Sequence, residues 1–251
     1  MRRILVTNDD GYRSEGLIAL ADALRPLGEV TIVAPMSEAS AIGHALTLRR
    51  PLRIEHMAGN LYAVDGTPTD CVNIAVTQLL KGLPDLVVSG INKGWNLGDD
   101  VTYSGTVSGA LEGALLGVQA IGTSLQFSRS FDFSHAACVT AAMAESLFAS
   151  PLPSRSFLNI NVPKGEPKCY RVTVQAKRNH VTSVAERHDP KGHAYYWIEE
   201  GQDEWEPHDR SDYQAVRDGY VSVTPLHPDL TAHQALAAVE RLSFEASAKV
   251  R

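Results

Sequence analysis

Two adjacent aspartates, Asp9 and Asp10, follow a short run of branched apolar residues near the start of the chain. Neighbouring carboxylates repel each other and lose hydration when they are buried, so a positive partner is expected beside them. A divalent cation is the simplest partner, because Mg²⁺, Mn²⁺ and Ca²⁺ prefer carboxylate, hydroxyl, amide and water oxygens. Ser40 and Asn92 carry oxygen atoms of this kind. We therefore predict a metal site formed by Asp9, Asp10, Ser40 and Asn92.

Each of these residues also has an ordinary structural interpretation. Asp9 alone is equally typical of a helix cap, and Ser40 and Asn92 are equally typical of turns. The metal site is favoured by their joint placement, because all of them lie just after predicted strands or at their ends. Glu15, Glu112, His44 and Lys93 are weaker candidates. We expect both glutamates to be solvated helix residues, since charged side chains seldom lie in a protein core.

The segment Ser104-Gly105-Thr106 begins a predicted helix and has two interpretations. It is either a plain helix cap or a phosphate site, in which backbone amides and hydroxyls at the positive end of the helix bind an anion. The motif alone favours the cap. Glycines recur every four residues along this helix, from Gly105 to Gly117, and predict close packing against a neighbour.

The elements that position these residues alternate between strand and helix. Buried strands are predicted at residues 4–6, 30–34, 61–64 and 86–88, and helices at residues 16–24 and 69–80. This order predicts an open α/β sheet with right-handed crossovers, whose ligands bind at the carboxyl ends of the strands. If the strands are neighbours, the polar loops after them meet in one crevice.

The pattern changes after residue 126. We predict a catalytic core at residues 1–126, and a C-terminal half at residues 127–251 that completes the sheet. Clear strands in this half are predicted only at residues 158–162 and 219–223, and the last helix has an apolar face. Exposed hairpins are expected within residues 170–197, and the run Tyr195-Tyr196-Trp197-Ile198 is apolar enough to predict a subunit contact.

Composition excludes several classes of protein. The 251 residues have a formal net charge of -6 and no basic excess, which disfavours a nucleic-acid polymer as partner. The three cysteines match neither a disulfide framework nor a zinc ligand set. The start of the chain lacks the apolar stretch of a signal peptide, and no apolar run is long enough to span a membrane. These features predict a cytoplasmic protein.

Several motifs together resemble the SurE family of survival-protein nucleotidases along nearly the whole chain. The matching segments are ILVTNDDG at 4–11, VAP at 33–35 with Ser40, GTPTDCV at 66–72, VSGIN at 88–92, Gly94, Asn96 and Gly98, YSGTVSGA at 103–110, and DGYVSVTP at 218–225. The resemblance implies a Rossmann-like, mostly parallel sheet with a C-terminal β-hairpin and helix appendage. It also implies a homodimer or homotetramer with exchanged C-terminal segments.

The same resemblance implies an activity and its residues. The family's activity is a metal-dependent phosphatase reaction on 5′- and 3′-nucleotides, with some action on short polyphosphate. The positions that match its metal ligands are Asp9, Asp10, Ser40 and Asn92. The positions that match the surroundings of its phosphate site are Asn96, Ser104, Gly105 and Thr106. One Mg²⁺ or Mn²⁺ ion per subunit is the expected cofactor, and a small nucleotide is the expected substrate.

The sequence leaves two routes for the attack on phosphorus, and two rival functions, open. Asp9 and Asp10 are the candidate catalytic residues. Attack by water is favoured, but direct attack by one aspartate to form an acyl phosphate also fits. A nucleotide-binding regulatory or dinucleotide-binding protein is the first rival, although acidic residues stand where its glycine motif would lie. A non-catalytic interaction protein that binds a partner through the aromatic hairpin is the second.

Overall fold

The fold was analysed in a computed structural model, which describes residues 1–179, 183–199 and 204–242. The strands in chain order are β1 (Arg3–Thr7), β2 (Glu29–Pro35), β3 (Ile54–Ala58), β4 (Leu61–Val64), β5 (Leu86–Lys93), β6 (Gln119–Leu125), β7 (Phe157–Val162), β8 (Tyr170–Val172), β9 (Arg178–Asn179), β10 (Ser183–His188), β11 (Ala194–Glu199), β12 (Glu204–Trp205) and β13 (Val221–Leu226). The α-helices are α1 (Glu15–Leu24), α2 (Pro68–Ile74), α3 (Gly105–Leu115), α4 (Ser134–Ala149), α5 (Asp212–Arg217) and α6 (Leu236–Glu240). A π-helical turn, Ala75–Leu79, continues α2.

Within the described residues, nine strands form one sheet in the order β3-β4-β2-β1-β5-β6-β7-β13-β8. The strands from β4 to β7 in this order are parallel to one another. β3 is antiparallel to β4, and β13 is antiparallel to β7. A separate antiparallel hairpin joins β10 to β11. The predicted α/β, Rossmann-like, mostly parallel sheet with a C-terminal hairpin is therefore confirmed.

Helices cover both faces of the sheet. On one face, residues of α1 and α4 pack against β1, β2, β5, β6 and β7 in one hydrophobic cluster. On the other face, α2 and α3 form a second cluster with residues such as Leu5, Val33 and Val87. The central strands are buried on both sides, which explains why they consist of unbroken apolar runs rather than alternating patterns.

The glycines of α3 allow this helix to lie very close to the sheet. A methyl group added at Gly109 would lie 2.8 Å from Ser89 Oγ, and one at Gly113 would lie 2.8 Å from Val87 Cβ. Both distances are below those that real side chains adopt, so any larger residue would displace the helix. The predicted close packing is confirmed for these turns. Gly117 follows the helix with a φ of +82°, a conformation that ends helices and favours glycine.

Neither β6 nor α4 was predicted from the sequence, although both belong to the central layers of the fold. Residues beyond 126 contribute α4, β7 and β13 to the same hydrophobic cluster as β1. The division at residue 126 stays a prediction, and its second part includes residues outside the described ranges. No helix among the described residues is long and apolar enough to cross a membrane.

Candidate metal and phosphate site

The candidate site lies at the carboxyl ends of β2, β1 and β5, which are adjacent in the sheet. Asp9 and Asp10 follow β1, and Asn92 lies near the end of β5. Ser40 lies in the loop of residues 36–53 that follows β2. The Ala39 amide of this loop donates a hydrogen bond of 2.8 Å to the Asp9 carbonyl. The loops after the strands therefore meet at one edge of the sheet, as the sequence predicted.

Asp9 is held rigidly beneath the start of α3. Its side chain is buried, with only 5% of the residue exposed. The Thr106 amide donates to Asp9 Oδ2 at 3.0 Å, and the Thr106 hydroxyl donates to Asp9 Oδ1. Burial raises the pKa of Asp9, and the hydrogen bonds from Thr106 oppose this rise. Asp9 is thus an oriented carboxylate that helix α3 fixes in place.

Asp10 has a raised pKa and a buried carboxylate oxygen without a hydrogen-bond partner among the residues that the structure describes. Burial, followed by the charge of Asp9, raises the pKa of Asp10 to about 6, and the charge of Lys93 opposes this rise. Its Oδ2 atom is buried without a hydrogen-bond partner in the described part of the chain, as is Oδ1 of Asn8. Buried oxygens without partners are costly, and a divalent cation would satisfy them. The donor set therefore fits a hard metal ion.

Ser40 and Asn92 supply neutral oxygens at the rim of this pair. The Ser40 hydroxyl donates to Glu38 Oε1 at 2.7 Å, and Asn92 Nδ2 donates to the Gly94 carbonyl at 3.1 Å. The second bond turns the Asn92 amide so that its oxygen is the atom left for other contacts. Among the described residues, no three His, Cys, Asp or Glu side chains converge on one point. Any ion held here would therefore use hydroxyl and amide oxygens beside the two carboxylates.

Glu38 is a residue of this region that the sequence analysis missed. Burial is the main cause of the raised pKa of Asp9 and Asp10, and the negative charge of Glu38 adds to the rise at both. A cavity of about 380 Å³ opens beside Glu38, between the loop of residues 36–53 and the end of β4. Its lining includes Met36, Glu38, Ile42, Arg50 and Val64. Apolar and charged side chains share this cavity, as in many small-molecule sites.

The start of α3 contains the helix cap that was one interpretation of Ser104-Gly105-Thr106, and the phosphate site stays a prediction. Ser104 is a helix cap, because its Oγ atom accepts a hydrogen bond of 3.1 Å from the Val107 amide. Thr106 instead directs both of its donors at Asp9. A methyl group at Gly105 would lie 2.7 Å from Asp9 Cβ. This segment is therefore packed directly against the aspartate, at the positive end of a helix.

Asn96 is buried and its main chain is clamped by two asparagines of β7. The Asn96 amide donates to Asn161 Oδ1 at 2.8 Å, and the Asn96 carbonyl accepts from Asn159 Nδ2 at 2.8 Å and from Asn161 Nδ2 at 3.0 Å. Its side chain donates to Ser124 Oγ at 2.7 Å. The sequence did not indicate these contacts, because Asn159 and Asn161 lie more than 60 positions away from Asn96.

The weaker candidates divide between surface and core. Glu15 is exposed, as expected. The expectation for Glu112 was wrong, because only 7% of this residue is exposed. Its carboxylate lies 2.7 Å from His44 Nε2 and 2.7 Å from Asn73 Nδ2, and these two polar partners offset the cost of its burial. Burial and the charge of Asp9 raise the pKa of Asp10, and the charge of Lys93 opposes this rise.

Comparison with known proteins agrees with this fold. The family model described as Survival protein SurE matches residues 4–182. The chain is 47% identical over 243 residues to the 5'-nucleotidase SurE of Syntrophotalea carbinolica, covering 96% of this chain and 97% of the relative. It is 52% identical over 235 residues to the 5'-nucleotidase SurE of Myxococcus xanthus, covering 92% and 90%.

A solved structure gives the same result for the fold. The crystal structure of the SurE protein from Aquifex aeolicus superposes with a TM-score of 0.86 at 42% identity, covering 95% of this chain and 98% of that one. With a matching family model and full-length relatives, the chain belongs to the SurE family.

Proposed function

We propose that the protein is a divalent-metal-dependent phosphomonoesterase that hydrolyses nucleoside 5′-monophosphates, and also 3′-monophosphates and short polyphosphate. The observation that carries this proposal is the adjacent pair of buried Asp9 and half-buried Asp10, with the Asp10 Oδ2 atom left without a hydrogen-bond partner among the described residues. The relatives named 5'-nucleotidase SurE, which match over nearly the full length of the chain, support the choice of substrate.

Asp9, Asp10, Ser40 and Asn92 would hold one divalent ion per subunit, with Mg²⁺ or Mn²⁺ as the expected species. When bound, such an ion supplies positive charge to the phosphoryl oxygens and makes water a stronger acid. Thr106 holds the Asp9 carboxylate in a fixed orientation before an ion binds. Less conformational entropy is therefore lost when the ion binds.

The residues of the chain would act on the substrate from the start of α3. The amide end of this helix, at Ser104, Gly105 and Thr106, offers positive potential to the phosphoryl group as charge develops on its oxygens. Asn96, which β7 fixes through its main chain, is a further residue that would contact the phosphate. Asp10 would accept a proton from the attacking water as the bond between phosphorus and the ester oxygen breaks, and the leaving oxygen would take up a proton from solvent. We favour this route over an acyl phosphate on either aspartate.

A substrate panel tests this function. We expect purified protein to release inorganic phosphate from nucleoside 5′- and 3′-monophosphates when Mg²⁺ or Mn²⁺ is present. Treatment with a chelator, followed by dialysis, should remove the activity, and added divalent ion should restore it. Full activity in the chelated protein would exclude the metal role. Binding of nucleotides without phosphate release under every ion would instead favour the regulatory alternative.

We propose that the protein forms a homodimer or homotetramer in the cytoplasm, with exchanged C-terminal segments. The β11 strand supports the assembly, because Tyr195, Tyr196, Trp197 and Ile198 are 44% to 80% exposed. Isolated subunits seldom expose so many neighbouring apolar side chains. Residues 243–251 lie outside the described ranges. The three free cysteines fit a reducing compartment, which a cell-fractionation experiment would check.

Sedimentation of the wild-type protein tests the assembly. We expect a species of at least twice the 27.2 kDa subunit mass. Replacing Trp197 and Ile198 together by serine should shift the distribution towards the monomer, because the apolar contact area is lost. A wild-type protein that sediments only as a monomer at working concentration would contradict the proposal.

A further inference from the structure

A polar network links helix α3 to the loop of residues 36–53. Glu112 lies on the buried face of α3, two turns beyond Gly105. One of its carboxylate oxygens lies 2.7 Å from His44 Nε2, and the other accepts a hydrogen bond of 2.7 Å from Asn73 of α2. His44 comes from the loop, and its side chain is 29% exposed. The network therefore joins two fixed helices to one irregular segment.

The same loop reaches the candidate metal site four residues before His44. Ser40 lies there, next to Ala39, whose amide donates a hydrogen bond to the Asp9 carbonyl. Between Ser40 and His44, the chain turns through Ala41, which has a left-handed φ of +53°, and Gly43. The Gly43 amide donates to the Tyr103 carbonyl at 2.9 Å. The position of Ser40 thus depends on anchors at each side of a short, tightly turned segment.

The loop of residues 36–53 is held by two kinds of contact, one made by its main chain and one made by the His44 side chain. Beyond His44, the Thr47 amide donates to Asp70 Oδ1 at 2.9 Å, and the Ala45 carbonyl accepts from Thr67 Oγ1 at 2.7 Å. These contacts use the main chain of the loop. His44 is the residue of the segment whose side chain reaches a buried carboxylate. A buried carboxylate forms strong hydrogen bonds, and losing one partner leaves it poorly solvated.

We propose that His44 and Glu112 form a positioning pair that holds the loop so that the Ser40 hydroxyl faces Asp9 and Asp10. The pair sets the affinity of the site for a divalent cation without contacting the cation itself. This inference rests on the proposed metal site and adds residues to its support. Outer partners of this kind fix the orientation of ligands and commonly change metal affinity by about 10- to 100-fold.

A double-mutant cycle on Mn²⁺ binding tests the pair. Titration calorimetry with Mn²⁺ alone should give a Kd about 10-fold or more above the wild-type value for His44→Ala and for Glu112→Gln. The double variant should bind no more weakly than the weaker single variant, because both changes break the same contact. His56→Ala is the matched control. His56 is an exposed histidine on β3 whose Nε2 contacts the Gly59 carbonyl, outside the loop.

Limited proteolysis adds a measurement that does not depend on the metal or on activity. Trypsin cleavage after Arg49, within the loop, should be faster in His44→Ala than in the wild type and in His56→Ala. Thermal unfolding of each variant shows whether the fold is retained. If Glu112→Gln does not fold, the comparison of His44→Ala with the wild type and with His56→Ala still tests the pair. His44 is exposed, so its replacement should leave the fold intact.

The outcomes separate this inference from the proposed function. Wild-type Mn²⁺ affinity and wild-type cleavage rate in a folded His44→Ala variant would overturn the positioning pair and leave the metal site standing. Absence of Mn²⁺ binding by the wild-type protein would overturn the metal site, and the pair with it. Weaker Mn²⁺ binding in His44→Ala, with normal binding in His56→Ala, is the result we expect.

Discussion

Replacing Asp10 by asparagine is expected to lower kcat/KM for a nucleoside monophosphate by about 1,000-fold or more, while the protein stays folded. Loss of one anionic ligand removes several kcal/mol of charge stabilisation at the phosphoryl group, which corresponds to about this factor. The fold should tolerate the change, because asparagine has nearly the same volume. It also ends the repulsion from Asp9, which contributes to raising the pKa of Asp10 to about 6.

The measurement compares initial rates of phosphate release with thermal unfolding, in the presence and absence of Mn²⁺. We expect the melting temperature of metal-free Asp10→Asn to equal or exceed that of the metal-free wild type. Asp22→Asn is the control, because Asp22 is an exposed residue of α1 that pairs with Arg25 at 3.0 Å. Near-normal turnover in Asp10→Asn would show that this carboxylate is not part of the reacting site.

Replacing Gly105 by alanine is the second change with a large expected effect. The added methyl group would lie 2.7 Å from Asp9 Cβ and 2.9 Å from Asp9 Oδ2, so either the aspartate or the start of α3 must move. A displacement of about 1 Å in a catalytic group lowers turnover by about 100-fold. Overpacking of this kind also costs about 1–3 kcal/mol in the free energy of unfolding.

Gly113→Ala separates the two effects of this change. Gly113 lies on the same face of α3, where a methyl group would lie 2.8 Å from Val87 Cβ, but it is two turns away from Asp9. We expect similar losses of stability in both variants and a large loss of kcat in Gly105→Ala alone. Equal kcat values in the two variants would mean that Ser104-Gly105-Thr106 serves only packing and capping.

The central part of the fold could be predicted because its signals are local. The strand of residues 4–6 is an unbroken apolar run, and turn-forming polar residues follow it at once. β6 was missed because its buried side chains include Thr123 and Ser124. Thr123 Oγ1 contacts Thr140 Oγ1 at 3.0 Å across to α4, and Ser124 contacts Asn96. Polar residues that are satisfied only by distant partners resemble loop residues in the sequence.

At the candidate site too, residues whose partners are distant in the sequence could not be predicted. Asp9 and Asp10 follow β1, and Asn92 lies near the end of β5. They could be assigned from these places, since the carboxyl ends of parallel strands lie at one edge of the sheet. The burial of Glu112 could not, because His44 is 68 positions away and Asn73 is 39 positions away. A glutamate three residues from an exposed helix end is usually solvated. Only the arrangement of three separate segments places this carboxylate in the core.

The close contact between α3 and the sheet has a consequence for motion at the site. Gly109 and Gly113 leave no space between the helix axis and the strands beneath, so sliding or rotation of α3 would drive its backbone into Ser89 and Val87. The amide end of α3 and Asp9 therefore form one rigid unit. We infer that any closure around a substrate comes from irregular segments such as the loop of residues 36–53, while the sheet and α3 keep their positions. Amide exchange on α3 should accordingly be among the slowest in the protein.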